Sequence, residues 1–361
     1  MRPGARRRLP RRRTGAALAA ALLGSAALLS SLTRPVLAEP LELRTRVITR
    51  FGGTAEEEGR LDFRGGLVLS GPRGFGGWSG LLVEGERFLA VSDTGAWLKG
   101  RLLLTDGRLS GVADARMDPR VDIHGRPIMG KTAGDAETLA RAEDGVLVGV
   151  EMTQQILFYP ADGIDVDVTA PATRRDLSTE AIVQLRHYGF EALAARGDGS
   201  LIAIAEGGER RVDTLPVFHL PQPGGQERRF AVKRDADWSV TGADMLPGGD
   251  MVLVERRYGG GIDVGMRVRR IGADAVDRAT GVVDGPVLME AGFSSEIDNM
   301  EAIAASVEDD GRLVFTLMSD DNHAFLQRTL MLRFALRDPL PRPKPLPGEA
   351  RASRQARSQS G

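Results

Sequence analysis

No cysteine occurs anywhere in the 361 residues. Disulfides are therefore excluded, and so is any metal site built on thiolates. Histidine is scarce, with four in all, at 124, 187, 219 and 323. A complete nucleophile elbow is missing as well. The run GGWSGL places Ser79 two residues after Gly77, but Leu81 stands where the second glycine of G-x-S-x-G belongs, which weighs against a Ser-His-Asp esterase. The spaced D-x-D-x-D-G pattern of a calcium loop is absent too. Aromatic residues supply only 5% of the chain, so a core must come mainly from the aliphatic part of its 42% hydrophobic content. The 45 glycines make it rich in turns.

The first 38 residues read as an export signal. MRPGARRRLPRRRTG is basic, AALAAALLGSAALLSSL is apolar, and Val36 and Ala38 are small residues before a cleavage point at Glu39. A single membrane anchor is the alternative, since the run approaches the ~20 residues that span a bilayer. Arg12-Arg13 before it also allows a twin-arginine signal. Cleavage removes eight arginines and no acid, taking the formal charge from −1 to −9. So acidic a chain disfavours nucleic acid as partner and favours cations. The expected location is periplasmic or secreted, as a monomer with no stable membrane span after cleavage. Residues 39–336 form the expected domain, and 337–361, rich in Pro, Arg and Ser without hydrophobic period, read as a disordered tail.

Between these ends one line is written five times: WSGLLVEGERFLAVSD (78–93), AETLARAEDGVLVGVE (136–151), FEALAARGDGSLIAIAE (190–206), TGADMLPGGDMVLVER (241–256) and MEAIAASVEDDGRLVFTLMSD (300–320). Each is a short strand, a Gly- or Asp-containing turn, and a second apolar strand closed by a charged residue. Aligning Gly80, Glu137, Glu191, Gly242 and Glu301 gives intervals of 51 to 59 residues. That period, with several strands per unit, predicts an all-β propeller of five blades, six being possible. A two-sheet sandwich is the alternative and needs no such period. The last unit lacks an outer strand, which 61–71, flanked by LELRTRVITRF, can supply, closing the ring from the N-terminus.

Inner strands of a propeller meet at one channel, so in-phase acids should converge there. Glu137, Glu191 and Glu301 open three of the strands, with Gly80 and Gly242 leaving room in the other two. Asp93, Glu151, Glu206, Glu255 and Asp320 end the following strands and should join them. Such a ring raises its own pKa values unless a cation neutralises it. Oxygen donors alone select calcium. The expected metal set is Asp93, Glu137, Glu191, Glu206, Glu301, Asp320 and Asp321. The runs SSEIDNMEA, with Glu296 and Asp298, and MSDDNHAF add further oxygens. Solvated loop ends are the alternative for any single acid.

FGGWSGL, AVSDTGAW, FEALA, LVERRYGGG…MRVRRI, NMEAIA and SDDNHAFLQRTLMLRF together resemble the bacterial phytase-like family described as having esterase-like activity of phytase. The resemblance runs from Leu61 to Leu336. It implies a β-propeller related in form to the alkaline phytases, in which calcium bridges acids and substrate phosphate. A metal-dependent hydrolase of phosphate esters or related esters is then expected. Glu191, Glu301 and Arg257 are its candidate catalytic residues, and Arg256, Arg257 and Lys131 would bind the substrate. Outward strand positions are the competing account of the arginines. A non-catalytic, calcium-stabilised propeller acting as an envelope binding module is the alternative function.

Overall fold

A computed structural model describes residues 41–52, 59–206, 212–222, 225–235 and 237–337. The expected signal segment, and the expected tail beyond Arg337, lie outside them. Five sheets follow one another along the chain, antiparallel throughout except for the short parallel pairing of β19 with β15. β1 (Arg44–Ile48) and β2 (Leu61–Ser70) come first. The first complete blade is β3 (Trp78–Glu84), β4 (Arg87–Ser92), β5 (Ala96–Thr105) and β6 (Arg108–Pro119). A one-turn helix, α1 (Lys131–Gly134), leads to the second: β7 (Ala136–Ala142), β8 (Gly145–Val150), β9 (Gln155–Asp162), β10 (Asp165–Val166) and β11 (Thr173–Arg175). α2 (Thr179–Tyr188), capped by the Ser178 hydroxyl accepting from Ala181 N, precedes the third. That blade is β12 (Phe190–Ala195), β13 (Leu201–Ala205), β14 (Thr214–Leu220) and β15 (Arg228–Lys233). The fourth starts with β16 (Trp238–Met245), β17 (Met251–Gly260) and β18 (Asp263–Ile271), then α3 (Ala273–Arg278). β19 (Val282–Val283) crosses back to pair with β15, and β20 (Val287–Gly292) completes the fourth blade.

The fifth blade has β21 (Asn299–Val307), β22 (Leu313–Asp320) and β23 (Thr329–Leu336) inside, and β2 and β1 outside. β2 pairs with β23 from Leu61↔Leu336 to Leu69↔Thr329. The expected N-terminal closure is therefore present and joins both ends of the domain in one sheet, which removes a free edge. The molecule is a five-bladed β-propeller. No sixth blade forms among the described residues, because β1 and β2 are used up in closing the fifth.

Local sequence accounts for the hairpins. Asp106 and Gly107 have φ of 51° and 70° between the paired Thr105 and Arg108, the left-handed pair a two-residue turn requires. The core is divided into five clusters, each lying between adjacent sheets. Trp78 packs with Phe75 between the fifth and first blades. Trp97 meets Tyr159 edge-on at 5.1 Å between the first and second. Both indoles are fully buried packing elements.

Side chains also tie neighbouring inner strands together. Thr138 Oγ1 accepts from Leu193 N at 2.9 Å, the Thr241 hydroxyl donates to Met300 O at 2.8 Å, and Asp244 accepts from Ala305 N at 2.8 Å. Inner strands have no ladder partner on the channel side, so these bonds satisfy backbone groups that would otherwise be left unmade.

Candidate metal-binding mouth

Every inner strand carries a β-bulge at the same place. Pairing with the second strand skips one residue between Trp78 and Gly80, Ala136 and Thr138, Phe190 and Ala192, Val240 and Gly242, and Met300 and Ala302. The skipped residues are Ser79, Glu137, Glu191, Thr241 and Glu301. A bulge re-aims the extra side chain, here at one mouth of the channel.

This register corrects the alignment drawn from sequence. The counterparts of the three glutamates are Ser79 and Thr241, one residue before the glycines. Gly80 and Gly242 leave no open room. A Cβ on Gly80 would lie 2.8 Å from Leu139 Cβ and 2.9 Å from Leu139 N, and one on Gly242 would lie 2.6 Å from Glu301 O. They let adjacent inner strands approach each other.

A second ring follows from the same pairing. Asp93 N, Glu151 N and Glu206 N donate to Gly77 O, Asp135 O and Gly189 O at 2.8, 3.0 and 3.3 Å. Asp320 faces Asn299, and in the fourth blade Arg256 faces Ser239. Glu255 is thus not a rim acid. It points to the other face of its strand, fully buried, against Arg267 and Arg269. The fifth position of the ring is a cation. Arg256 bonds Asn299, reaches Glu301 at 2.8 Å and lies 3.4 Å from Glu206.

Three carboxylates converge most closely. Asp135, Glu137 and Glu151 each offer an oxygen within 4.8 Å of the others. Oxygens on opposite sides of one calcium ion, at about 2.4 Å each, are at most about 4.8 Å apart, so the set fits that ion. Asp93 adds an independent sign of a missing partner: it is 3% exposed, and its Oδ1 is buried without a hydrogen bond. Its Oδ2 is 3.1 Å from Lys131 Nζ, which is also 4.0 Å from Asp135.

Crowding shows in the electrostatics. Burial first, then Glu301 and Asp135, pushes Glu137 well above the ordinary carboxylate range. Burial with Glu206, Glu137, Glu301 and Glu151 does the same to Glu191. Burial lifts Glu301 to about 8 despite the opposing Arg256, and Asp320 to about 6. Two full negative charges 4.8 Å apart repel by about 3.5 kcal/mol at an effective dielectric near 20. The triad therefore holds either protons or a cation.

Other expected site residues lie apart or are already occupied. Arg257, adjacent to Arg256 on an alternating strand, turns to the opposite face, 5.0 Å from the Trp238 ring centroid and 3.3 Å from Asp263. It is not at the mouth. Asp321 accepts from Gly77 N, His323 N and the Thr329 hydroxyl at 3.2, 3.0 and 2.9 Å, so both its oxygens pin a loop. Glu296 and Asp298 are neutralised by Arg328 at 2.7 and 3.3 Å. His187 is exposed on α2. Ser79 is 3% exposed on a bulge, without the strand–turn–helix setting of a nucleophile. Asp135 was missed in sequence because it precedes the strand. Its only signal is GDAE, with acids on both sides of one residue, where the third and fifth units have a single acid and the first and fourth have none. A cavity of about 1470 Å³ opens at the other mouth among the hairpin turns at Gly85, Asp144, Gly199 and Pro247, and no rim carboxylate lines it. Acidic groups converge at the first mouth.

A family model described as phytase-like, esterase-like activity of phytase, matches residues 73–323. No curated protein matches the chain. Among solved structures, glutaminyl cyclase of Myxococcus xanthus is similar over 83% of this chain and 100% of its own, at 13% identity and a TM-score of 0.40. The PQQ-bound aldose sugar dehydrogenase of Streptomyces coelicolor is similar over 81% of this chain and 98% of its own, at 13% identity and a TM-score of 0.39.

Proposed function

The chain belongs to the phytase-like family, and from that premise we propose that it is a divalent-metal-dependent hydrolase of phosphate esters or related esters, acting at the acidic mouth of the propeller. The observation that carries this reading is the triad of Asp135, Glu137 and Glu151, whose oxygens lie within 4.8 Å of one another. Calcium is the expected ion, since every donor is a hard oxygen. When bound it would polarise the ester and lower the pKa of water.

The chain's own residues supply the rest. Asp135, Glu137 and Glu151 hold the ion, with Glu191, Glu206, Asp93 and Asp320 around them. Lys131, with 62% of its side chain exposed, can reach an anionic oxygen of the substrate. Arg256 is held by Glu301, Glu206 and Asn299. It keeps one flank of the mouth positive, and Arg is suited to bidentate binding of phosphate. Glu301, raised to about 8 by burial when no ion is bound, is the candidate proton donor to a leaving group.

We also propose export of the chain, resting on the basic and apolar run of residues 1–38. No helix among the described residues is long and apolar enough to cross a membrane.

The test is metal analysis of purified protein, followed by p-nitrophenyl phosphate and carboxylester assays with calcium and with chelator. Turnover that requires calcium and disappears in Glu137→Gln supports the reading. Turnover indifferent to chelator and abolished by Ser79→Ala would sink it. Calcium binding with no turnover of any ester would favour the binding module.

A further inference from the structure

Two cations stand at the acidic mouth, and they are held very differently. The Arg256 side chain is 29% exposed and spans three partners from two other blades. Lys131 is 62% exposed, yet its ammonium lies between two carboxylates that are 5% and 4% exposed. Its stem is in water, and only its head is engaged. It begins the four-residue α1 after Gly130, whose φ is 76° and which provides no side-chain cap. A Cβ on Gly130 would meet nothing within 4 Å. The contacts that hold its ammonium are those to Asp93 and Asp135.

Its two partners are not equivalent. Asp93 belongs to the first blade, and its second oxygen is buried without a partner. Asp135 belongs to the triad of the second blade. A single monovalent head is thus spread over a carboxylate it half satisfies and a carboxylate that a divalent ion would claim.

We infer that Lys131 is a displaceable internal counter-ion: a divalent cation entering the Asp135–Glu137–Glu151 triad competes with its ammonium for the carboxylates, and the displaced ammonium becomes a binding group for the substrate's anion. This inference rests on the functional reading above. It makes calcium and anion binding cooperative through one side chain. Without calcium the lysine is neutralised by Asp93 and Asp135. With calcium it is repelled into solvent above the site, where a phosphate oxygen is the nearest available partner. A divalent ion therefore does two things for an anion, adding its own charge and releasing another. Lys131 is a competitor of the ion and a binding residue for the anion.

Titration calorimetry of calcium into the full chain tests this. Lys131→Met is expected to bind calcium about tenfold more tightly, because a positive charge next to the site has been removed. Lys131→Arg, which keeps the charge, should behave like the parent. Lys99→Met, removing a lysine paired to Asp165 on an outer strand, should change nothing. In a second titration with inorganic phosphate, calcium should raise the parent's affinity, and Lys131→Met should lose most of that gain. Calcium-free melting curves verify folding, and Lys131→Gln replaces Lys131→Met should the latter fail to fold.

Calcium affinity in Lys131→Met equal to or weaker than the parent's would overturn the inference and leave the hydrolase reading standing. Tightening in Lys131→Arg as large as in Lys131→Met would also overturn it, since charge would not be the cause. Tighter calcium binding in Lys131→Met with no ester hydrolysed by the parent would preserve the counter-ion and remove the hydrolase. No calcium binding by either protein would remove both.

Discussion

Glu255 and Arg256 are neighbours on β17, and they belong to two opposite electrostatic worlds. On one face, Glu255 is fully buried against Arg267 at 2.6 Å and Arg269 at 2.6 Å, and these guanidinium groups reach on to Asp235 and Asp284. Lys233, 3.2 Å from Asp284 and 3.8 Å from Asp235, completes the set, so three cations meet three acids there, two of the acids half exposed. On the other face, Arg256 and Lys131 face Asp93, Asp135, Glu137, Glu151, Glu191, Glu206, Glu301 and Asp320. The first cluster is complete in itself. The second carries a large surplus of one sign in a buried setting. A balanced buried cluster holds a structure, whereas an unbalanced one needs a ligand or protons.

The comparison is broken most forcefully by the same kind of substitution on each side. Glu255→Ala leaves two buried guanidinium groups facing each other and should cost about 3–5 kcal/mol in denaturant unfolding, with no recovery on adding calcium. Glu191→Gln should have the opposite sign, raising the calcium-free melting temperature at pH 8, because it removes a carboxylate that burial and its neighbours already penalise. Destabilisation of the calcium-free protein by Glu191→Gln would show that the mouth is balanced in some way its side chains do not reveal.

Proton and calcium linkage come next in size. Glu301 is raised to about 8 from an ordinary 4.5, mainly by burial. Between those values the folded chain keeps a proton that the unfolded chain has released. Folding then takes up protons, so the stability of calcium-free protein should fall as pH rises across that window. Calcium at a hundredfold excess over its dissociation constant should restore about 2.7 kcal/mol. Its affinity should rise with pH, since protons must leave the carboxylates first. Melting curves at several pH values, with calcium and with chelator, check both signs.

A smaller effect separates packing from charge. Gly242→Ala drives a Cβ to within 2.6 Å of Glu301 O and should cost about 1–3 kcal/mol by overpacking. The loss should appear equally with and without calcium. Full rescue by calcium would mean that Gly242 serves the mouth instead of the seam between strands. Smallest of all, Arg257→Lys should leave calcium binding unchanged and cost about 1 kcal/mol, the value of its cation–π contact with the buried Trp238 ring.

Much of the fold could be read from the repeats. Alternating apolar strands, Gly-containing turns and an interval of 51 to 59 residues led to five blades, and the surplus strand at 61–71 led to the closure now seen between β2 and β23. The acids were legible as a group for the same reason. Their assignment within the group was less so. Glu255 was aligned with the rim because it ends an apolar strand, like Asp93 and Glu151. Arg257 reads as a site residue in sequence because, with Arg256, it follows a strand-ending acid and precedes the Gly-rich YGGGID. In a strand, however, a shift of one residue reverses the face a side chain occupies.

The sequence by itself determined that five similar units exist and that each brings charge to the same end of its hairpin. Periodic hydrophobicity and turn chemistry are local properties, and they survive in one dimension. Tertiary structure alone decided which residue of each unit enters the channel, because that depends on a bulge whose presence is set by pairing with the next strand. The same pairing turned Glu255 inward to its arginines, brought Asp135 beside Glu137 and Glu151, and put a lysine between Asp93 and Asp135. Charges from separate blades acquire a common environment only once the ring has closed.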